Sequence, residues 1–211
     1  MTTTAWVFAA VFAVAAGANW WSRWTQHRPT ELWSKPLALV ALIGVAATLD
    51  PVDPTVRAWF VVALVCSLAG DLFLLDGDRR FVPGLVAFLL AHVAFTIGLA
   101  LAPDWSWAGF AVGAAMTAVL AATIGVRIVR AASASAAVLG PAVTAYLVAI
   151  SAMFCAAVAT GNGWAIAGAG LFVASDSVLG WRQFVGARQW MAPTIMITYH
   201  VGQAGLVASL I

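Results

Sequence analysis

Two carboxylic acids, Asp71 and Asp176, lie inside long apolar runs of the chain. An ionisable side chain at membrane depth is costly and needs a partner, a watery cavity or a task. The segments Leu68-Ala69-Gly70-Asp71-Leu72-Phe73-Leu74 and Val173-Ala174-Ser175-Asp176-Ser177-Val178-Leu179 share an Ala-small-Asp core, and each precedes a basic loop and a run with a histidine, His92 or His200. Lys35, Asn19, Tyr199 and Gln203 are the other polar candidates near the same ends of their runs. Several chemistries suit such a set. Paired membrane acids serve proton-coupled carriers. Two Asp and two His could ligate zinc, although no short motif such as H-x-x-x-H occurs. The bland alternatives are a structural bridge from either Asp to Lys35 or Arg79, and histidines that hydrogen-bond across helices. Tyr146 and Ser151 read as packing and local hydrogen-bonding residues.

The elements that hold these residues follow from composition. Of 211 residues, 64% are hydrophobic and 9% charged, too few charges to cover a water-soluble surface. The apolar runs are long enough to cross ~30 Å of hydrocarbon as helices, and they lack the period-two alternation of a barrel. Spans are predicted at 5–22, 36–50, 57–75, 81–102, 106–127, 136–159, 164–182 and 191–211, with the second short and opened by Lys35 and Pro36. The fold class is therefore all-α, a polytopic membrane bundle of about eight transmembrane helices, read as one domain over 1–211. Met1 to Thr4 holds no Lys or Arg, so the first run reads as a retained helix and not as a signal peptide. The net charge of +2 gives no nucleic-acid footprint, and the lone thiols Cys66 and Cys155 imply no disulfide framework.

Loop charges orient the bundle. Arg23, Arg28, Lys35, Arg79, Arg80, Arg127, Arg130, Arg182 and Arg188 fall at alternate loops, with Arg57 alone on the other side. The positive-inside rule makes the basic loops cytoplasmic and both termini external. The 11 tryptophans sit near predicted span ends on both faces, as interfacial rings should. The recurring Asp and His segments suggest a parallel four-plus-four repeat. Asp71 and Asp176 come out roughly 7–9 Å inside the cytoplasmic boundary at 1.5 Å per residue, with Tyr199 and His200 at similar depth and His92 deeper. The outer half is almost free of ionisable groups, which argues against a through-going transport route and for a polar cavity open to the cytoplasmic side. Gly109 to Gly113 is a small-xxx-small pattern, read as helix packing within the bundle.

Ser34-Lys35-Pro36, Gly70-Asp71-Leu72-Phe73-Leu74, Phe81-x-x-Gly84 with Phe88-x-x-Ala91-His92, Ser175-Asp176 and Tyr199-x-x-x-Gln203 together resemble the YhhN-like lysoplasmalogenase family, in register on separate helices. Phe95 departs from that pattern where a tyrosine is expected. The resemblance implies a membrane ether hydrolase that cleaves the vinyl ether bond of lysoplasmalogens to a fatty aldehyde and glycerophosphocholine or glycerophosphoethanolamine. It implies a lysophospholipid substrate drawn from membrane lipid, no cofactor and no metal. Vinyl ether hydrolysis needs one acid and one anion, as glycoside hydrolysis does, and Asp71 and Asp176 fit that catalytic pair. Under this reading Lys35 meets the substrate phosphate, while Tyr199, Gln203 and His92 orient water and the glycerol hydroxyl and Asn19 contributes to the binding site. A bacterial inner membrane, with the site toward the cytoplasm, is the expected location. A proton-coupled transporter and a metal-dependent membrane lipid hydrolase are the rival functions.

Overall fold

A computed structural model describes residues 2–51 and 53–211. Met1 and Val52, which the 1–211 domain assignment includes, lie outside the described residues. The chain is all-helical: α1 (Thr3–Thr25), α2 (Arg28–Thr48), α3 (Pro54–Leu75), α4 (Phe81–Ala100), α5 (Trp107–Ser135), α6 (Leu139–Ala159), α7 (Gly163–Phe184) and α8 (Met191–Ala208). A short 3-10 turn, Gly77–Arg80, links α3 to α4, and a π turn, Ala121–Gly125, interrupts α5. No strand occurs among the described residues. Seven of the helices, α1 to α7, are long and apolar enough to span a membrane. The eighth falls short because Tyr199, His200 and Gln203 lower its hydropathy. The chain is thus an integral membrane protein of the helical-bundle class.

Polar caps start the odd-numbered helices. Thr2 accepts from Ala5 N at 3.0 Å, Ser106 from Gly109 N at 3.2 Å, and Asn162 Oδ1 from Trp164 N at 2.9 Å. Asp53 Oδ1 accepts from Thr55 N at 2.6 Å and Val56 N at 3.3 Å, directly before Pro54. Such caps satisfy N–H groups that a helix leaves without internal partners. Those two backbone N–H groups hold the half-buried Asp53 carboxyl below the usual carboxylate range.

Two boundaries differ from the sequence reading. α2 starts at Arg28, not at 36, with Pro29 in its first turn and the His27 ring as its cap. Lys35 therefore lies two turns inside the helix and does not open it, and Pro36 is an interior proline. The polar stretch Arg28-Pro29-Thr30-Glu31 looks like a loop, yet proline and glutamate in the first turn favour a helix start. α5 runs to Ser135 and not to 127, because the amphipathic end Val126–Ser135 packs Ile128 and Ala132 inward while Arg127 and Arg130 stay exposed.

Sequential helices pair closely as α1 with α2, α3 with α4, and α7 with α8, while α6 packs against both α4 and α5. Their shared core gathers Phe60, Leu64, Phe95, Met153, Phe172 and Leu206, all buried. Phe95 meets Phe60 edge-on at 5.2 Å, so the position is filled as an apolar aromatic contact and carries no hydroxyl. Gly109 and Gly113 bring α5 onto α6, where an added Cβ would meet Val158 O at 2.7 Å or Cys155 Cα at 2.8 Å. That is packing within the bundle, as the sequence suggested. Outward faces carry exposed Val14, Val40, Val119 and Val148, the surface expected where lipid is the solvent.

The α7–α8 crossing is the closest and fixes where Tyr199 stands relative to α7. A Cβ at Gly168 would lie 2.5 Å from Leu206 N and 2.7 Å from Gly202 O, both backbone atoms that cannot move alone. Gly168→Ala is expected to destabilise the bundle by about 1–3 kcal/mol through overpacking. Gly170→Ala, whose Cβ would meet only Phe154 Cε2 at 3.5 Å, is expected to be neutral or to stabilise by up to about 1 kcal/mol. Thermal unfolding in detergent compares the two.

Candidate active site

At the end of the bundle that carries Arg23, Arg28, Asp76 and Arg182, a chamber of about 630 Å³ opens between α2, α3, α7 and α8. Lys35, Asp71, Asp176 and Tyr199 line it together. Their convergence has a simple origin: Asp71 and Asp176 sit one to two turns inside their helix ends, and the α7–α8 crossing sets Tyr199 beside both.

The two acids have unequal partners. Lys35 Nζ lies 3.0 Å from Asp71 Oδ1, and the Tyr199 hydroxyl donates to Asp71 Oδ2 at 2.9 Å. The structural bridge weighed from sequence thus exists, but inside the chamber and not at a lipid-facing edge. Asp176 Oδ2 accepts from the Tyr146 hydroxyl. His92 Nε2 is 3.7 Å from the same oxygen, beyond hydrogen-bond reach. No Lys or Arg among the described residues pairs with Asp176.

The His92 ring is clamped edge-on between Tyr146, at 5.1 Å between centroids, and Phe172, at 4.8 Å. It is fully buried behind the chamber wall, and among the described residues neither ring nitrogen has a side-chain hydrogen-bond partner. Asn19 is also behind the wall: its Nδ2 donates to Ser34 Oγ at 3.2 Å, and Ser34 in turn donates to Thr30 O at 2.6 Å. That relay braces α1 against α2 one residue before Lys35. Gln203, one turn from Tyr199 on α8, is buried, and among the described residues neither of its amide atoms has a partner and it does not line the chamber. His200 accepts from Trp20 Nε1 at 3.1 Å on the far side of α8.

Tyr146 is the site residue that sequence reasoning missed. A signal for it exists, since the chain has only 2 tyrosines and both lie well inside helices, away from the interfacial belt where membrane tyrosines usually sit. Each donates to one of the two acids.

The rim is basic but partly neutralised. Glu31 pairs with Arg23 at 2.7 Å and with Arg28 at 3.1 Å, and the Arg28 guanidinium also donates to Leu75 O. Arg182 lines the chamber and joins none of the ion pairs among the described residues. The geometry therefore offers a cation at the mouth that joins no ion pair among the described residues, a cation-paired carboxylate within, and a second carboxyl held by a phenol. Among the described residues no three His, Cys, Asp or Glu side chains group as metal ligands.

Comparison with known proteins adds a family. The YhhN family model matches residues 30–210. A lysoplasmalogenase of Mycobacterium bovis and one of Mycobacterium tuberculosis are each 34% identical over 177 residues, covering 81% of this chain and 67% of theirs. A human lysoplasmalogenase is 32% identical over 143 residues, covering 67% of this chain and 58% of its own. No solved structure matches the chain. The matched region contains Lys35, both chamber acids and both tyrosines that hold them, and the chain belongs to the YhhN family.

Proposed function

We propose that the protein is a lysoplasmalogenase, an ether hydrolase that uses water to split the vinyl ether of an alkenyl lysophospholipid into a fatty aldehyde and the glycerophospho headgroup alcohol. The observation that carries this reading is the unequal pair of acids in one chamber. Asp71, beside the Lys35 ammonium, is suited to stay ionised. Asp176, with a phenol and no Lys or Arg partner among the described residues, is suited to deliver a proton, because an isolated charge there would be poorly compensated.

The reaction balances with these two groups. Asp176 gives its proton to the β-carbon of the vinyl ether, and positive charge develops on the carbon bound to oxygen. The Asp71 carboxylate stands to steady that cation and to take a proton from the water that adds there. In the collapse of the resulting hemiacetal, Asp71 returns its proton to the glycerol oxygen while Asp176 takes the hemiacetal proton. One water is consumed, and both carboxyls end as they began. The same division of roles between two carboxyls operates in glycoside hydrolysis.

Binding follows from the remaining groups. An ammonium has three donors, so Lys35 can hold Asp71 and still meet a phosphate oxygen, with Arg182 at the mouth as a second contact. Tyr199 orients water or the glycerol hydroxyl next to Asp71. His92 sits behind Asp176 and keeps Tyr146 in place. Asn19 and Gln203 act from behind the wall, through α2 and α8. The basic end faces the cytoplasm of a bacterial inner membrane with both termini outside, by the positive-inside rule. The Ala-small-Asp segment recurring on α3 and α7, each followed by a helix that carries a histidine, supports the four-plus-four repeat. Purified protein in detergent is expected to release aldehyde from alkenyl lysophospholipids and none from ester-linked ones; no aldehyde from either would overturn the reading.

A further inference from the structure

A second cavity adjoins the chamber, and its character is opposite. It runs between α4, α5, α6 and α7, and its wall is almost wholly aliphatic and aromatic, with Leu85, Ile124, Ile128 and Leu147 among its lining. Among the described residues, five, Leu74, Phe81, Phe88, Asp176 and Leu179, belong to both walls. Asp176 is the only ionisable one among them. A polar space and an apolar space therefore meet at a single carboxyl group.

The groove has a direction. Tyr146 and Asp176 stand where it joins the chamber, while Thr117, Leu120, Ile150 and Ser151 line it farther from the basic end. Ile150 is one helical turn beyond Tyr146, about 6 Å at 1.5 Å per residue. Its outer wall is α5 at the π turn, where Ala121, Ile124 and Gly125 all line the space. A π turn inserts one residue into the helical repeat and is frequent at functional positions. Here it re-aims the inner end of α5, so that Ile128 and Val129 also face the groove. Gly125 lets that wall sit close: a Cβ there would come 2.8 Å from Leu147 Cδ2.

We propose that this groove holds the first carbons of the substrate's hydrocarbon chain, and that the π-turn segment of α5 is the specificity wall for that chain. The occupant follows from the junction. A lysoplasmalogen changes from polar to apolar at its vinyl ether, so a molecule with its headgroup beside Lys35 and Arg182 and its ether at Asp176 must run its chain away from the chamber. The groove is the apolar space that begins at that carboxyl. This inference rests on the lysoplasmalogenase reading, whose failure the test below separates from its own.

Ser151→Phe and Leu120→Phe fill the far part of the groove without touching either acid. Each is expected to lower the ratio of kcat/KM for a long-chain alkenyl lysophospholipid to that for a four-carbon alkenyl analogue by about tenfold or more, the scale at which apolar pockets discriminate chain size. An unchanged ratio in both folded variants would overturn the proposal. A lysophosphatidylcholine with a diazirine in its chain, ester-linked so that turnover is not needed, gives the independent measurement: photolabel is expected on α5 and α6 near Leu120, Ile124 and Leu147. Label confined to outward faces such as Val14 or Val40 would contradict the groove even if aldehyde is released. Label in the groove without aldehyde release from any alkenyl substrate would leave the groove standing and remove the ether hydrolase.

Discussion

Asp176→Asn is expected to leave a folded, monodisperse bundle and to lower kcat by about 10²–10⁴-fold, the usual contribution of a positioned general acid. The amide is nearly isosteric and still accepts a hydrogen bond from the Tyr146 hydroxyl, which now holds the carboxylate. The side chain loses the ability to give a proton to carbon and to take one back from the hemiacetal. Tyr146→Phe separates positioning from chemistry. It leaves the acid in place without its phenolic partner, so a smaller loss in kcat is expected than in Asp176→Asn. Full activity in Asp176→Asn would remove it from the catalytic role.

The second large effect concerns the Lys35–Asp71 pair, 3.0 Å apart with both side chains nearly buried. Lys35→Met strands the Asp71 carboxylate. Breaking a buried pair from one side costs about 3–5 kcal/mol, while replacing both partners with apolar residues is often neutral. Water in the adjoining chamber brings the expectation to the lower end, about 3 kcal/mol. Lys35→Met/Asp71→Leu is accordingly expected to recover most of the lost stability in detergent unfolding and none of the activity. If the single and double variants are equally unstable, the pair is not what ties α2 to α3. If the double variant turns over substrate, Asp71 is not the anion of the reaction.

Much of this molecule is legible in its residue order, for physical reasons that also mark where the reading stops. Apolar runs show where helices lie because lipid forces every backbone group to be satisfied within the segment. Charge shows helix ends less well. Arg28 to Glu31 looks like a loop by polarity and is the first turn of α2, and Val126 to Ser135 continues α5 as an amphipathic extension. Depth along a helix is countable at a fixed rise per residue, which is why Asp71, Asp176 and Tyr199, expected at one level, are found around one chamber; Lys35 joins them only because α2 starts two turns earlier than its polarity suggests. Rotation about the helix axis is not countable from polarity alone. Asn19, His92 and Gln203 share that end of the bundle yet stand behind the chamber wall, and Tyr146 faces Asp176 from a helix that carries no Asp, Glu, His, Lys or Arg. The π turn in α5 leaves no mark in hydropathy, so the apolar groove was invisible until the helices were packed.

The central claim is that one carboxyl in the chamber delivers a proton to carbon in the step that limits turnover. Its most direct test is the rate of aldehyde release measured in mixtures of H₂O and D₂O. A normal isotope effect with a linear fall as the deuterium fraction rises is expected, the signature of a single proton in flight. A rate indifferent to deuterium, in an enzyme whose product release is shown to be fast, would contradict proton delivery by Asp176 and with it the assigned roles of both acids.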